Sequence, residues 1–276
     1  MKLKNKIAII TGGSGDIGRA VARALLKEGA SVMLAARKEA SLEAAKTELA
    51  TLGTVETCRC DVAETERVKS LVDKTVERFG RVDIVVNAAG TYGPIGRSEE
   101  VDFDVWKQAF GVNTFGTFDV IRRVIPLMKK QGRGKIINFS GGGDGPLPRI
   151  SGYSASKFAV IRLTETLAAE HKDDHIDINV IAPGAVITKL FEEGLAAGKE
   201  ALGDETYAKL LKQKEEGGVP AEKAAALCVY LASDDSNGLT GKFLSAVWDK
   251  WQEFDSDKIK ALMASDALTA RRKKDE

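Results

Sequence analysis

Thr11-Gly12-Gly13-Ser14-Gly15-Asp16-Ile17-Gly18 is the stretch on which the fold turns. A short apolar run, residues 6–11, leads into it. After it, Ile17, Val21 and Leu25 recur at helical spacing up to Gly29, a helix stop. Glycines between a strand and a helix let a phosphate approach backbone N–H groups at the helix amino terminus, where the peptide dipoles leave positive charge. The spacing Gly13-x-Gly15-x-x-Gly18 is common by itself, and its place between the first strand and the first helix is what makes it specific. The candidate phosphate-cradle residues are Gly12, Ser14, Gly15, Asp16, Ile17 and Gly18. A mononucleotide-type loop would need Lys-Ser/Thr after Gly18, where this chain has Arg19-Ala20.

Outward from that turn the pattern alternates. Strand-like runs at 31–36, 55–59, 83–87, 135–140, 176–181 and 242–247 are each separated by a segment of helix length. Strand and helix in alternation imply an α/β doubly wound fold of the Rossmann type, with about seven parallel strands and helices on both faces. No Pro/Ser-rich linker or composition shift divides the chain. The expected organisation is one catalytic and dinucleotide-binding domain over residues 1–251, with 252–276 as an extension of one short helix and a charged tail.

Composition narrows the function. Lysine plus arginine number 41 and aspartate plus glutamate 40, a net charge of +1, which argues against nucleic acid or an anionic membrane as the main partner. Hydrophobic residues make up 43%, enough for a substantial core, yet no apolar run reaches the roughly 20 residues that cross a bilayer. The basic start, Met1 to Lys6, precedes only four apolar residues, so no signal peptide is expected. Three cysteines (Cys58, Cys60, Cys228) form no disulfide framework and suit a reducing cytoplasm. Cys58 and Cys60 lack partners for a metal site, and His171 and His175, the only histidines, lie in a charged turn; no metal is expected.

The second strand ends Ala36-Arg37-Lys38. An acid there would bond a ribose 2′-hydroxyl, whereas Arg37 would pair with a 2′-phosphate, so NADP(H) is favoured and NAD(H) stays open. Ser140 closes the fifth strand, and thirteen residues later comes Tyr153-Ser-Ala-Ser-Lys157. At i and i+4, Tyr153 and Lys157 share a helix face. Free tyrosine has a pKa near 10, too high for acid–base work at neutral pH, and the Lys157 ammonium together with a positive oxidised nicotinamide is expected to lower it. Tyr153 could then exchange a proton with a carbonyl/alcohol oxygen that Ser140 holds in place. As a serine hydrolase nucleophile Ser140 would lack a base.

The ordered set of motifs resembles the short-chain dehydrogenase/reductase family, in its compact single-domain branch, from residue 6 to about 247. It comprises the glycine turn, Asp61-Val62, Asn87-Ala88-Ala89-Gly90, Asn113, Ser140, Tyr153-x-x-x-Lys157, and Pro183-Gly184 with Thr188. The resemblance implies that Asp61 and Val62 lie against adenine and that Asn87, Ala88 and Gly90 support the cofactor. It implies that Asn113 bends its helix to hold a relay water, and that Lys157 also binds the nicotinamide ribose. Pro183, Gly184, Val186 and Thr188 would face the nicotinamide. It implies a small carbonyl or alcohol substrate and a homo-oligomer, tetramer or dimer, built on helices around 101–130 and 152–171.

Two departures stand out. Asp16 occupies the middle glycine of the compact branch's TGxxxGxG, so the turn also fits the TGxxGxxG of sugar-nucleotide epimerases and dehydratases. That longer branch needs a large carboxy-terminal domain. An acid at this position is tolerable if its side chain turns from the phosphates. At the other end, Trp248 and Trp251 replace a small turn, and are expected to pack or dock the tail. A non-catalytic NADP sensor on the same fold is the remaining rival, and the intact set Asn113, Ser140, Tyr153 and Lys157 opposes it. Residues 91–95, 141–150 and 186–218 are expected to line the substrate pocket, the last as a lid carrying Leu190, Phe191 and Leu195.

Overall fold

The computed structural model describes residues 1–141 and 145–271. Part of the second glycine cluster and the basic end at 272–274 therefore lie outside the described residues. Seven strands form one sheet: β1 (Ile7–Thr11), β2 (Ser31–Ala36), β3 (Val55–Arg59), β4 (Ile84–Asn87), β5 (Gly134–Phe139), β6 (Ile176–Ala182) and β7 (Phe243–Ser245). Their order is β3-β2-β1-β4-β5-β6-β7, and every pairing is parallel. The expected doubly wound architecture is thus the one observed.

Connections are helical. They are α1 (Asp16–Lys27), α2 (Glu39–Leu49), α3 (Thr65–Phe79), α4 (Phe103–Phe110), α5 (Thr117–Gln131) and α6 (Ser151–Glu170), followed by α7 (Lys189–Ala196), α8 (Gly198–Leu202), α9 (Asp204–Glu215), α10 (Ala221–Ala232) and α11 (Ser256–Met263). Among the described residues two large apolar cores result, one on each face, beside a small cluster of Val160, Ile161 and Val180. Leu25, Leu34, Leu42, Ile137 and Cys228 belong to the first; Val68, Leu71, Val85, Ile121 and Ile136 belong to the second. β1 is buried along its whole length, as a parallel strand covered on both faces must be.

Strand order reverses between β1 and β4, so the crossovers diverge there and leave a crevice beyond the carboxyl ends of the strands. The expected lid, 186–218, is helical and comprises α7, α8 and α9. The two tail tryptophans part company: Trp251 is buried against Tyr230, with centroids 5.6 Å apart, whereas Trp248 is exposed. Ile259 and Leu262 of α11 enter the same core as Leu25. Beyond α11 the tail returns to β7, where Phe243 N–H donates to Leu268 O at 2.8 Å. Lys242, itself buried, donates to the Ser265 and Ala267 carbonyls at 3.0 Å.

Candidate active site

The crevice is a cleft of about 1820 Å3, larger than the pocket of one drug-sized ligand. One end is the glycine turn. Gly12 has φ +65°, and a Cβ there would stand 2.8 Å from Ala88 O; a Cβ on Gly18 would collide with Gly12 O. Only bare backbone fits this cradle. The N-cap of α1, Gly15, makes no side-chain cap bond, so the first amides of the helix stay open to an anion. Gly12, Ser14, Gly15, Asp16, Ile17 and Gly18 all line the cleft. A dinucleotide pyrophosphate fits that cradle.

Asp16 does turn away from the cradle. Its Oδ2 accepts the backbone N–H of Lys189 at 2.7 Å, at the first residue of α7, and its Oδ1 is 3.4 Å from Arg19. Arg37 lines the cleft beside Lys38 and Ser41. Neither Arg37 nor Lys38 has a carboxylate partner among the described residues. Asp61 and Val62 line the same end, and Val62 packs so closely on the helix at Gly116 that a Cβ there would lie 2.7 Å from it. Ala88 and Gly90 border the floor. Asn87 sits beneath it, buried, its amide donating to Asn138 Oδ1 at 2.9 Å. Pro183, Gly184, Val186 and Thr188 form the wall below α7, and Thr188 Oγ1 caps that helix by accepting Phe191 N–H at 3.1 Å.

Tyr153 and Lys157 project from the first turns of α6, as the i, i+4 spacing requires. Both line the cleft. Lys157 Nζ donates to Phe139 O at 2.9 Å, and burial lowers its pKa to about 8. Tyr153 departs from expectation. Burial pushes its phenol above the ordinary value, because taking a phenolate out of water costs free energy, and the nearby Tyr92 adds to the rise.

Asn113 lies in a π-helical turn, Gly111–Gly116, between α4 and α5. Its side chain clamps Thr91, accepting Thr91 N–H and donating to Thr91 O, both at 2.9 Å, and also donates to Ser156 Oγ. Its carbonyl accepts Thr117 Oγ1 at 2.8 Å. A Cβ on Gly90 would stand 3.4 Å from Asn113 Oδ1 and 3.5 Å from Lys157 Nζ, so these side chains converge at that glycine.

Ser140 borders the cleft, but its hydroxyl donates to Ile181 O at 3.1 Å. The backbone against the Tyr153 phenol belongs instead to Gly141, where a Cβ would collide with the hydroxyl. The sequence reading placed Thr91 only in the pocket lining and missed Ser156, because their bonds to Asn113 arise only when the loop after β4, the π turn and α6 pack together.

A family model described as short chain dehydrogenase matches residues 6–197. This chain belongs to the short-chain dehydrogenase/reductase family. It is 34% identical over 246 residues to dehydrogenase/reductase SDR family member 4 of Caenorhabditis elegans, covering 88% of this chain and 94% of the relative. It is 36% identical to L-fucose dehydrogenase of Bos taurus over 231 residues, 83% of each. Among solved structures, NAD+-bound xylitol dehydrogenase superposes with TM-score 0.81 at 30% identity, covering 89% of this chain and 98% of that one. An actinorhodin polyketide ketoreductase with NADPH gives 0.80 at 29%, covering 87% and 95%. As a member of the short-chain dehydrogenase/reductase family, the protein is an oxidoreductase that uses a nicotinamide cofactor. These relatives are named as dehydrogenases and reductases, which favours the oxidoreductase reading over the epimerase and sensor alternatives.

Proposed function

We propose that the protein is an NADP(H)-preferring carbonyl reductase/alcohol dehydrogenase acting on a small molecule. The observation that carries the reading is the pairing of Tyr153 and Lys157 in the cleft whose far end is the open amino terminus of α1. When bound, the cofactor supplies or accepts the hydride at the substrate carbon. Tyr153 gives its phenolic proton to the carbonyl oxygen in reduction and takes it back in oxidation. Lys157 offsets the negative charge left on the phenol and holds the nicotinamide ribose. Asn113, held by Thr91 and Ser156, presents its carbonyl to a relay water that returns the proton. Ser140 is proposed as the hydroxyl that steadies the substrate oxygen, for which its bond to Ile181 O would have to exchange. Asp61 and Val62 take the adenine; Asn87, Ala88 and Gly90 support the cofactor from below. Pro183, Gly184, Val186 and Thr188 face the nicotinamide.

The test is NADPH oxidation against a chemically broad carbonyl panel, with NADH in parallel. NADPH-dependent turnover of a carbonyl supports the reading; tight NADPH binding with no turnover across the panel moves it toward a sensor. For Arg37→Ala, the kcat/KM preference for NADPH over NADH is expected to fall by at least about tenfold, the worth of one charge-assisted phosphate contact. An unchanged ratio in the paired assays would remove Arg37 from the 2′-phosphate site.

Residues 1–251 are proposed as the domain and 252–276 as its docked extension. The three cysteines are buried and free, and burial pushes Cys60 up to about 12, which suits a cytoplasmic protein. Among the described residues no helix is long and apolar enough to cross a membrane. Phe103, Phe115, Phe118 and Phe158 leave 41–67% of their surfaces exposed around α4, α5 and α6, a patch that supports a homo-oligomer, dimer or tetramer, through these helices. Phe115→Glu should weaken self-association by about tenfold or more, read by sedimentation velocity across a dilution series.

A further inference from the structure

The lid and the phosphate cradle meet at one polar contact. Asp16 is the first residue of α1, and its Oδ2 accepts the Lys189 N–H of α7 at 2.7 Å. Among the described residues, every other hydrogen bond and ion pair of α7, α8 and α9 stays within the lid or reaches only the turns that flank it. Thr188 caps α7, Lys214 pairs with Glu192, and Lys199 pairs with Asp204. The remaining hold on the lid is apolar. Phe191, Leu195 and Leu202 are buried, and Gly194 packs on the Tyr92 ring so closely that a Cβ there would stand 2.7 Å from its Cε2. Apolar burial is non-directional, so the Asp16 bond is the contact that sets where α7 begins.

Electrostatics favours a carboxylate at this spot. It lies between two helix amino termini, that of α1, which carries it, and that of α7, whose first N–H it takes; both ends leave positive charge there. Thr188 Oγ1 already takes Phe191 N–H, so two side chains answer two of the open amides of α7. A glycine, the residue of the compact branch at this position, could not supply the bond. We infer that Asp16 is a positioning residue that latches α7 over the cleft, and that its bond to Lys189 governs how fast a bound nicotinamide cofactor leaves. The inference rests on the cofactor-site reading of the cleft given above. Asp16 flanks the cradle assigned to the pyrophosphate, and Thr188, next to Lys189, belongs to the wall assigned to the nicotinamide. One bond thus joins the two segments that must part for the cofactor to exchange.

The experiment compares wild type, Asp16→Ala and Asp16→Asn. Amide hydrogen exchange of the peptide over residues 186–196 is measured without cofactor, NADPH release by stopped-flow fluorescence, and thermal melting alongside. Losing one charge-assisted bond, Asp16→Ala is expected to exchange that peptide, and to release NADPH, about tenfold faster than wild type. Asp16→Asn keeps an acceptor oxygen and should stay within about threefold of wild type in both. Melting temperature, and exchange in peptides of the sheet, should stay close to wild type. The inference is overturned if Asp16→Ala leaves lid exchange or NADPH release unchanged, or if Asp16→Asn changes as much as Asp16→Ala, which would make charge and not the bond the cause. Slower NADPH release in both variants also overturns it, since that marks a carboxylate that only repels the pyrophosphate. So does faster exchange throughout the fold with a lower melting temperature, the mark of a merely structural residue. Wild-type protein that protects the lid peptide yet binds neither NADPH nor NADH would instead overturn the cofactor reading beneath it, because lid exchange is read without cofactor.

Discussion

Tyr153→Phe is expected to lose at least about a thousandfold in kcat for carbonyl reduction, the scale of removing a positioned general acid. The substitution deletes one oxygen and leaves the ring, so the edge-on packing against Tyr92 and the seat of α6 should survive. NADPH affinity and melting temperature should therefore remain near wild type while turnover vanishes. That split separates proton transfer from folding. Single-turnover measurement of NADPH consumption checks it, and a variant that keeps within tenfold of wild type would remove Tyr153 from the chemistry.

Lys157→Met should cost about a hundredfold or more in turnover, because the charge that offsets a developing phenolate is gone. Its effect on stability has the opposite sign at neutral pH. Burial lowers the Lys157 pKa from 10.5 to about 8, so below pH 8 the folded chain carries the whole cost of an interior ammonium, roughly 3 kcal/mol. Between pH 8 and 10.5 the folded chain has released the proton and the unfolded chain has not, so wild-type stability gains as pH rises. The difference between Lys157→Met and wild type should therefore shift by about 2 kcal/mol between pH 7 and pH 10, methionine being relatively more favourable at pH 7. Urea titrations of both proteins at the two pH values measure it. The same deprotonation should make wild-type reduction decline as pH climbs through about 8, while Tyr153, raised by burial, is still protonated.

Much of this was legible in the sequence because it is written in local patterns. The β-branched runs marked all seven strands to within a few residues. The place of the glycine turn between β1 and α1 gave the expectation of a phosphate cradle, and at Gly12 and Gly18 a Cβ would collide with neighbouring backbone. Side-chain direction at a strand end was less legible. Successive residues point to opposite faces, so one position decides whether Ser140 or Gly141 faces Tyr153, and counting thirteen residues from Ser140 to Tyr153 cannot resolve it. The Tyr153 pKa meets a related limit: spacing reveals the neighbouring lysine but not the depth of burial that raises the phenol. The π turn around Asn113 and the bond from Asp16 to Lys189, 173 residues apart, depend on tertiary packing that no local periodicity encodes.

The return of the tail to β7 bears on how copies of the protein can meet. An edge strand with free amides and carbonyls is a template for adding a strand from another molecule, and so for open-ended aggregation. Here the Phe243 amide is already taken by Leu268, and Arg162 and Glu165 of α6 tie down Ala270 through its carbonyl and amide. The extension thus acts as a guard on the sheet margin. Removing it would bare the Phe243 amide together with the apolar surface that Ile259 and Leu262 cover, trading a protected rim for an adhesive one.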